Sequence, residues 1–296
     1  MSRLASALII LVLAACAHGD AAKLPRSRVL QLRAGTQVLA VDGTLSGKPV
    51  EVRLAVEEPR SLVSSGCYPS PPVAQGQVKL PHLGGGWATL PELVLSGLTL
   101  GGEVLPPFPA AVAAEPGGCI VRLGLDVLGN AVVDVDLDAR TVTLAPATPS
   151  LPKELEQAVV DLTRVPDSDR LLVPAQLTGA AATALQALVV GTSRPTELAA
   201  IPARALGATS VLRVVQLAPG WEACDVPIAL RTDWGRSPGI GVLGVEGWGA
   251  RRALLELGAP RLVLVRPKGT PPPPCRDTGE STPIEPARPR EAEPRG

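Results

Sequence analysis

The stretch that decides the fold is "RLGLDVLGNAVVDVDLDARTVTL", residues 122–144. Valine and leucine alternate with aspartate in its second half, which is the period-two pattern of a β-strand, and "DAR" predicts a turn before a second strand. This alternation puts Asp134, Asp136 and Asp138 on one strand face, and we expect that face to meet solvent. A straight strand does not supply the convergent oxygens of a calcium loop, so we predict no metal site here.

Blocks of the first half of the chain recur in the same order in the second half, which predicts two lobes of similar topology. The matches are Leu123-Gly124-Leu125-Asp126 with Leu243-Gly244-Val245-Glu246, Leu45-Ser46-Gly47 with Leu177-Thr178-Gly179, and "RVLQLRAG" with "AVVDLTRV". We place the lobes at residues 28–148 and 158–266, joined by a linker at 149–157. Short strand-like runs broken by Gly, Asp and Pro predict an all-β protein with few short helices, chiefly over Glu197–Leu206.

The N-terminus has the pattern of an export signal over residues 1–15. Its apolar run is too short for a membrane-spanning helix, which needs about 20 apolar residues. The four residues Leu13-Ala14-Ala15-Cys16 resemble a bacterial lipobox, which implies lipidation of Cys16 and a tether over 16–27; a plain signal peptide is the alternative. Ala17, where an aspartate would favour inner-membrane retention, points to an outer membrane lipoprotein that faces the periplasm, with the cell surface left open.

The remaining composition excludes several classes of partner. There are 28 basic and 28 acidic residues, and aromatic residues make up only 2% of the chain, so we expect no nucleic acid partner. His82 is the single histidine in the body of the protein and no CxxC motif occurs, so we expect no metal and no cofactor. The tail, residues 267–296, is rich in proline and charge and is predicted to be disordered.

Four cysteines follow Cys16, and an even number in an exported chain predicts disulfides. Sequence alone allows three pairings. We favour the pairing that keeps each bridge within one half of the chain, which is Cys67–Cys119 with Cys224–Cys275.

The repeat resembles the pepsin/retropepsin-like aspartic protease family over roughly residues 28–266. In that family each lobe has a strand that ends in Asp-Thr/Ser-Gly, and a later apolar-apolar-Gly strand crosses behind it. The segment Leu-Gly-Leu-Asp126 is similar to the second element. The resemblance implies an acid protease fold with two lobes and a structural, non-catalytic role for Asp126.

Aspartic protease chemistry needs two carboxylates that share a proton, one from each lobe. In "LAVEEPRSLVS", residues 54–64, Glu57 or Glu58 falls where the resemblance expects the first aspartate. In "LVVGTSRPTEL", residues 188–198, Gly191 falls at the second aspartate, followed by Thr192. The single Asp-Thr-Gly, at 277–279, lies in the proline-rich tail without a preceding strand and is interpreted as a coincidence. We therefore predict no catalytic residues.

These observations favour a non-catalytic envelope lipoprotein that binds a peptide or protein segment in the cleft between its lobes. The segment "KLPHLGGGWATL" predicts a glycine-tipped hairpin, which the resemblance places over the cleft as a flap. The candidate cleft residues are Trp87, Glu57, Arg60, Ser193 and Arg194. Two alternatives remain open, a divergent aspartic-type peptidase that uses Glu57 or Glu58 and a purely structural envelope lipoprotein.

Overall fold

The computed structural model describes residues 27–68, 70, 73–115, 118–234, 241–270 and 275. The predicted signal peptide, Cys16 and nearly all of the tether lie outside the described residues. So does most of the proline-rich tail, including the Asp-Thr-Gly at 277–279. In the part of the chain that is described, no helix is long and apolar enough to cross a membrane.

The regular secondary structure of the described residues is almost entirely β-strand, as predicted. The strands are β1 (Arg28–Gln31), β2 (Ala40–Leu45), β3 (Lys48–Leu54), β4 (Leu62–Ser64), β5 (Gly76–Pro81), β6 (Trp87–Leu95), β7 (Leu98–Leu100), β8 (Glu103–Val104), β9 (Phe108–Ala113), β10 (Ile120–Leu123), β11 (Val132–Asp136), β12 (Thr141–Ala145), β13 (Leu155–Asp161), β14 (Thr163–Arg164), β15 (Leu171–Thr178), β16 (Thr183–Val190), β17 (Glu197–Ala199), β18 (Val211–Ala218), β19 (Trp221–Pro227), β20 (Ala229–Arg231), β21 (Gly241–Leu243), β22 (Arg252–Glu256) and β23 (Arg261–Pro267). Helices α1 (Leu125–Leu128) and α2 (Ala200–Ala205) are short, and 3-10 turns occupy Ser65–Cys67 and Val245–Gly247.

A six-stranded sheet joins the two halves of the chain in the order β1-β12-β11-β22-β23-β13. Its first three strands come from the first half of the chain and its last three from the second half. The equivalent strands of the two halves are therefore arranged in mirror order about the centre of the sheet. The antiparallel pair at the centre matches Val133 with Leu255 and Val135 with Ala253. The outer strands β1 and β13 are the two blocks "RVLQLRAG" and "AVVDLTRV", so their predicted correspondence is confirmed.

Each lobe adds a sheet of its own. The first lobe has nine strands in the order β5-β6-β9-β4-β10-β3-β2-β7-β8, and the second has the path β19-β18-β15-β16-β21-β17-β20. In each lobe the repeated hairpin, β2–β3 or β15–β16, lies next to the strand that carries the Leu-Gly step, β10 or β21. The predicted disulfides are both present, Cys67–Cys119 in the first lobe and Cys224–Cys275 in the second.

Two expectations are corrected by the packing. Asp134 is only 9% exposed, because its strand β11 lies in the middle of the six-stranded sheet and its neighbours on that face include the buried Val132 and Leu254. Its carboxylate receives two hydrogen bonds from the guanidinium of Arg252 on β22, at 3.1 and 2.8 Å. Asp136 is half-buried, and only Asp138 is exposed as expected. The predicted linker 149–157 overlaps the start of β13, which pairs with β23 along its full length.

Candidate functional site

The turns that follow β3 and β16 occupy equivalent positions in the two lobes. Strand β10 runs parallel to β3, and β21 runs parallel to β16. The backbone N–H of Ala55 donates to the carbonyl of Leu123, and that of Gly191 donates to the carbonyl of Leu243, both at 2.8 Å. Since Leu123 and Leu243 are the same residue of the repeat, Ala55 is the counterpart of Gly191.

This register corrects the alignment made from sequence, which placed Glu57 or Glu58 opposite Gly191. Both glutamates lie further along the turn, where Glu57 corresponds to Ser193 and Glu58 to Arg194. Because neither turn contains an Asp-Thr/Ser-Gly motif, the sequence does not define how the two turns align. The pairing of β3 with β10 and of β16 with β21 defines it. Neither of the two equivalent positions, Ala55 and Gly191, carries a carboxylate.

Glu57 crosses from the first lobe into the turn of the second and is fully buried. Its carboxylate accepts hydrogen bonds from the backbone N–H of Thr192 at 3.0 Å and from that of Ser193 at 3.2 Å. The Ser193 hydroxyl also donates to it. A carboxylate is an acceptor-only group with room for several donors, which suits it to tie down a turn of exposed amides. Glu57 therefore links the two lobes and is not free to act on a substrate.

Thr192, in the second lobe, forms hydrogen bonds with the turn of the first lobe. Its hydroxyl accepts from the backbone N–H of Val56 at 3.1 Å and donates to the carbonyl of Leu54 at 2.5 Å. Its own carbonyl accepts from the N–H of Leu39 at 2.7 Å. The counterpart of Thr192 in the first lobe is Val56, which has no hydroxyl, so the reciprocal bond cannot form. Glu57 supplies the missing connection from that side.

The contacts of Glu57 and Thr192 form the junction between the two turns, and a largely buried ion pair lies beside this junction. Glu58 accepts from the guanidinium of Arg194 at 3.2 Å, and their side chains are 9% and 25% exposed. Burial raises the pKa of Glu58 above its ordinary value of 4.5, and the opposing charges of Arg194 and Arg170 do not fully offset it. A buried pair of this kind is costly to break, because either partner alone would be an uncompensated buried charge.

Arg170, at the start of β15, reaches from the second lobe into the first and is only 7% exposed. Its guanidinium donates to three backbone carbonyls, those of Glu57 at 3.1 Å, Pro81 at 2.5 Å and His82 at 3.4 Å. Burial is the main cause that lowers the pKa of Arg170. The arginine therefore ties the first-lobe turn to the loop end of the β5–β6 hairpin, where Pro81 pairs with Trp87.

The acidic residue after each Leu-Gly step supports the neighbouring turn. The Asp126 carboxylate accepts from the backbone N–H of Ser61 at 2.9 Å and from its hydroxyl at 2.7 Å, and the Ser61 hydroxyl accepts from the N–H of Gly124 at 3.0 Å. In the second lobe Glu246 accepts from the N–H of Thr196 at 2.6 Å. These contacts agree with a structural role for Asp126.

Comparison with known proteins bears on the fold. No family model and no curated protein matches the sequence. Among solved structures, the chain is similar to an aspartic proteinase from Irpex lacteus, with a TM-score of 0.54 over 82% of this chain and 98% of that chain. The chain has the pepsin-like fold. At 12% identity the likeness concerns the fold alone.

One of the two equivalent turn positions in this pepsin-like fold has no room for a side chain. A Cβ atom on Gly191 would lie 2.2 Å from Cγ1 of Val242, a residue that is itself fully buried. Such a distance is well inside van der Waals contact, so any side chain here would push the two strands apart. The absence of a carboxylate at Gly191 is therefore matched by the packing around it.

The remaining candidates do not share one surface with Glu57 and Ser193. Arg60 is held by Glu92, at 3.1 and 2.9 Å, on the first lobe. Trp87 begins β6 in the β5–β6 hairpin and is 53% exposed, with the ammonium of Lys79 5.4 Å from its ring. A ligand reaches Glu57 or Ser193 only if the turns separate, whereas Arg194 is partly exposed and Trp87 is accessible as the structure stands.

Sequence reasoning missed two residues of the second lobe that contact the hairpin. Arg170 donates to the carbonyls of Pro81 and His82, and the Trp234 ring lies so close to Gly84 that a Cβ atom there would be 2.5 Å from its Cδ1. Arg170 precedes a strand and resembles an ordinary solvated residue in sequence. Its partners lie 88 to 113 residues away. No local pattern predicts such contacts; the one available signal is that Trp234 is one of only four tryptophans in the chain.

Proposed function

We propose that this chain is a non-catalytic, pepsin-like lipoprotein of the cell envelope that binds an extended peptide or protein segment between its lobes. The proposal that the protein is non-catalytic is supported by the residues Ala55 and Gly191. The two equivalent turn positions hold a methyl group and a hydrogen atom, where acid proteolysis requires two carboxylates that share a proton.

The nearby carboxylates do not replace the missing pair. Glu57 accepts its hydrogen bonds from the Thr192–Ser193 turn, and Glu58 is paired with Arg194. Among the described residues, each carboxylate is thus bound to groups of the second lobe that are not carboxylates. This arrangement stabilises the junction and leaves no shared proton to activate water.

The β5–β6 hairpin supports the binding part of the proposal. Extended peptides are held in such sites largely by backbone hydrogen bonds to strands, and this mode of recognition does not depend on catalytic groups. The hairpin presents Trp87 to solvent beside Lys79. Exposed tryptophan next to a cation is a typical anchor for a protein partner.

The anchoring part of the proposal rests on the lipobox-like Leu13-Ala14-Ala15-Cys16. A diacylglycerol thioether and an amide-linked acyl chain on Cys16 would together hold the protein stably at a membrane. We expect Cys16→Ala to release the full chain from the outer membrane fraction into the soluble periplasmic fraction. An unchanged distribution would contradict the lipid anchor.

Catalysis is tested with the full chain and an unfolded, alkylated protein as substrate, across acid to neutral pH. We expect no cleavage above background, and the same result for Glu57→Gln and Glu58→Gln. Cleavage by the wild type that either substitution abolishes would overturn the proposal in favour of a divergent peptidase.

Binding is tested by selecting random linear peptides on the full chain. We expect captured peptides to lose at least about tenfold in affinity on Trp87→Ala, the change typical of an anchor residue. The matched control is Val94→Ala on the same strand, at a side chain that is 47% exposed. Equal effects of both substitutions would contradict a role for Trp87.

A purely structural role is the second candidate. The observation in its favour is that the six-stranded sheet and the Glu57 junction join the lobes into one unit. In that case partner capture in the envelope would be insensitive to Trp87→Ala and sensitive to changes elsewhere on the surface.

A further inference from the structure

A large cavity is bordered by the six-stranded sheet and by the second lobe. It has a volume of about 1270 Å³, and its walls come from the loop before β2 (33–39), the β11–β12 turn (136–140), the start of β19 and the segment 245–252. Among the described residues, its lining includes neither the five cleft candidates nor any residue of the β5–β6 hairpin. The proposed function therefore leaves this cavity unused.

The inner surface of the cavity is apolar. Its buried lining residues, each less than 10% exposed, are Leu32, Leu39, Ala223, Val245 and Val265. Its volume exceeds the roughly 300–1,000 Å³ of ordinary small-molecule sites. The cavity is therefore large enough to take a short segment of polypeptide, and its inner surface favours an apolar side chain.

Accessible cations lie around this apolar surface. Arg140 is exposed, its guanidinium donates to the carbonyl of Leu32 at 3.2 Å, and the ion pairs among the described residues do not include it. Arg251 pairs with Asp138 at 2.8 Å, but the two side chains are 71% and 70% exposed. Such exposed pairs contribute little free energy. A carboxylate on a docked segment would thus find a cation at the edge of the cavity.

The chain itself leads into this cavity. Thr270, just beyond β23, lines it, and so does Cys224, whose disulfide partner is Cys275 with a Cα–Cα distance of 5.2 Å. The residues that follow Cys275 therefore start at the cavity wall. Ile284 lies nine residues beyond Cys275. An extended chain of that length spans up to about 30 Å, so Ile284 is within reach of the cavity.

We infer that the cavity is the docking site of residues 276–290 of this same chain, with Ile284 as the apolar anchor and Glu285 as the partner of Arg140. These residues lie outside the described part of the chain, and Ile284 is their single large apolar side chain. Pro283, Pro286 and Pro289 restrict the backbone, which lowers the entropy lost on docking. The inference goes beyond the proposed function and does not depend on it.

The disulfide makes docking an intramolecular event. A segment tethered by a short linker has an effective concentration on the order of 1 mM. Weak contacts are then sufficient, because the segment competes at this concentration with any free ligand. The docked segment would cover the apolar lining and close the cavity to other molecules.

The inference is tested with the full chain and a labelled synthetic peptide of residues 276–290, by fluorescence anisotropy. Ile284→Asp in the full chain should vacate the cavity, and we expect this variant to bind the peptide with a Kd below about 1 mM. The wild type should bind the peptide at least about tenfold more weakly, because its own segment competes. Ala292→Asp adds the same charge outside the docking segment and should behave like the wild type. Absence of binding to Ile284→Asp would overturn the inference.

A second substitution locates the site. Ala139 is exposed and lines the cavity, so Ala139→Trp in the Ile284→Asp chain should fill the space and weaken peptide binding at least about tenfold. Ala182→Trp, at an exposed position of the β15–β16 turn, is the matched control and should leave binding unchanged. Equal binding by the two variants would place the peptide elsewhere and overturn the inference.

The occupant is identified by a photo-crosslinking residue in place of Ile284 in the full chain. We expect crosslinks within one chain to residues 33–39 or 136–140. Crosslinks between two chains would assign the cavity to a second copy and would overturn docking of the chain's own segment.

Discussion

Ala55 and Gly191 occupy equivalent positions in the two lobes, since the backbone N–H of each donates to the carbonyl of the leucine in a Leu-Gly step, at 2.8 Å. This equivalence shows that the first-lobe glutamates are displaced along the turn. The two turns are then joined from both sides. The Thr192 hydroxyl forms hydrogen bonds with the first lobe, and the Glu57 carboxylate accepts hydrogen bonds from the second. Both turns are therefore held together across the lobes by hydrogen bonds whose donors and acceptors are paired.

We predict that Glu57→Ala destabilises the protein by roughly 3–5 kcal/mol, because it leaves the N–H groups of Thr192 and Ser193 buried without an acceptor. The free energy of unfolding from urea titration checks this. Glu154→Ala, at an exposed side chain, is the control and should change stability by less than about 0.5 kcal/mol. Similar losses for the two variants would contradict a structural role for Glu57.

We predict that Gly191→Ala destabilises the protein by about 1–3 kcal/mol, the usual cost of overpacking, because its methyl group would meet Val242. In the double variant Gly191→Ala/Val242→Ala the two losses should be less than additive, since the clashing Cγ1 atom is removed. A thermodynamic cycle from chemical denaturation measures the coupling. Additive losses would mean that the two side chains do not interact.

We predict that stability rises as the pH falls from neutral towards about 4.5. Burial raises the pKa of Glu58, and also that of Asp126, in the folded protein, so the folded state binds more protons than the unfolded state within this window. One such group contributes a slope of at most about 1.4 kcal/mol per pH unit. At lower pH the trend reverses, because the pKa of Asp233 is lowered to about 2.

Urea titrations of the wild type and Glu58→Gln across this window test that prediction. We expect a shallower slope in the variant whatever its absolute stability, and an unchanged slope in Glu154→Gln. Parallel curves for the wild type and Glu58→Gln would exclude Glu58 as the source.

We predict a loss of roughly 2–4 kcal/mol when Cys67 and Cys119 are both replaced by serine, because the bridge closes a loop of 52 residues within the first lobe. The Cys224–Cys275 bridge closes a loop of 51 residues, but Cys275 lies beyond the last strand. Its removal should cost less, since no strand pairing depends on Cys275. Thermal denaturation of the two double variants compares them.

Much of the fold was accessible from the sequence because the repeat carries redundant information. The Leu-Gly steps at 123–124 and 243–244, the matching hairpins and both disulfides were predicted, and the structure confirms them. The helix predicted over Glu197–Leu206 is present as α2 over six residues, after the short strand β17. These features are predictable because each depends on residues that are close in sequence or on a motif that occurs in both copies of the repeat.

The candidate site was less accessible, because its decisive contacts join residues that are far apart in sequence. Glu57 and Ser193 lie 136 residues apart, and the bond between them has no local signature. The burial of Asp134 was missed for a related reason. Alternation shows which residues share a face, but it cannot show that this face carries a second buried apolar cluster, which includes Val132 and Leu254.

The pairing of β11 with β22 has a consequence for synthesis. The first lobe is made before β22 exists, and until then the central strand "VVDVD" presents a bare, valine-rich backbone edge. Exposed edges of this kind pair readily with other chains and promote aggregation. The nascent protein is therefore vulnerable until its last strands emerge, and a chain truncated between the lobes would accumulate as an insoluble product.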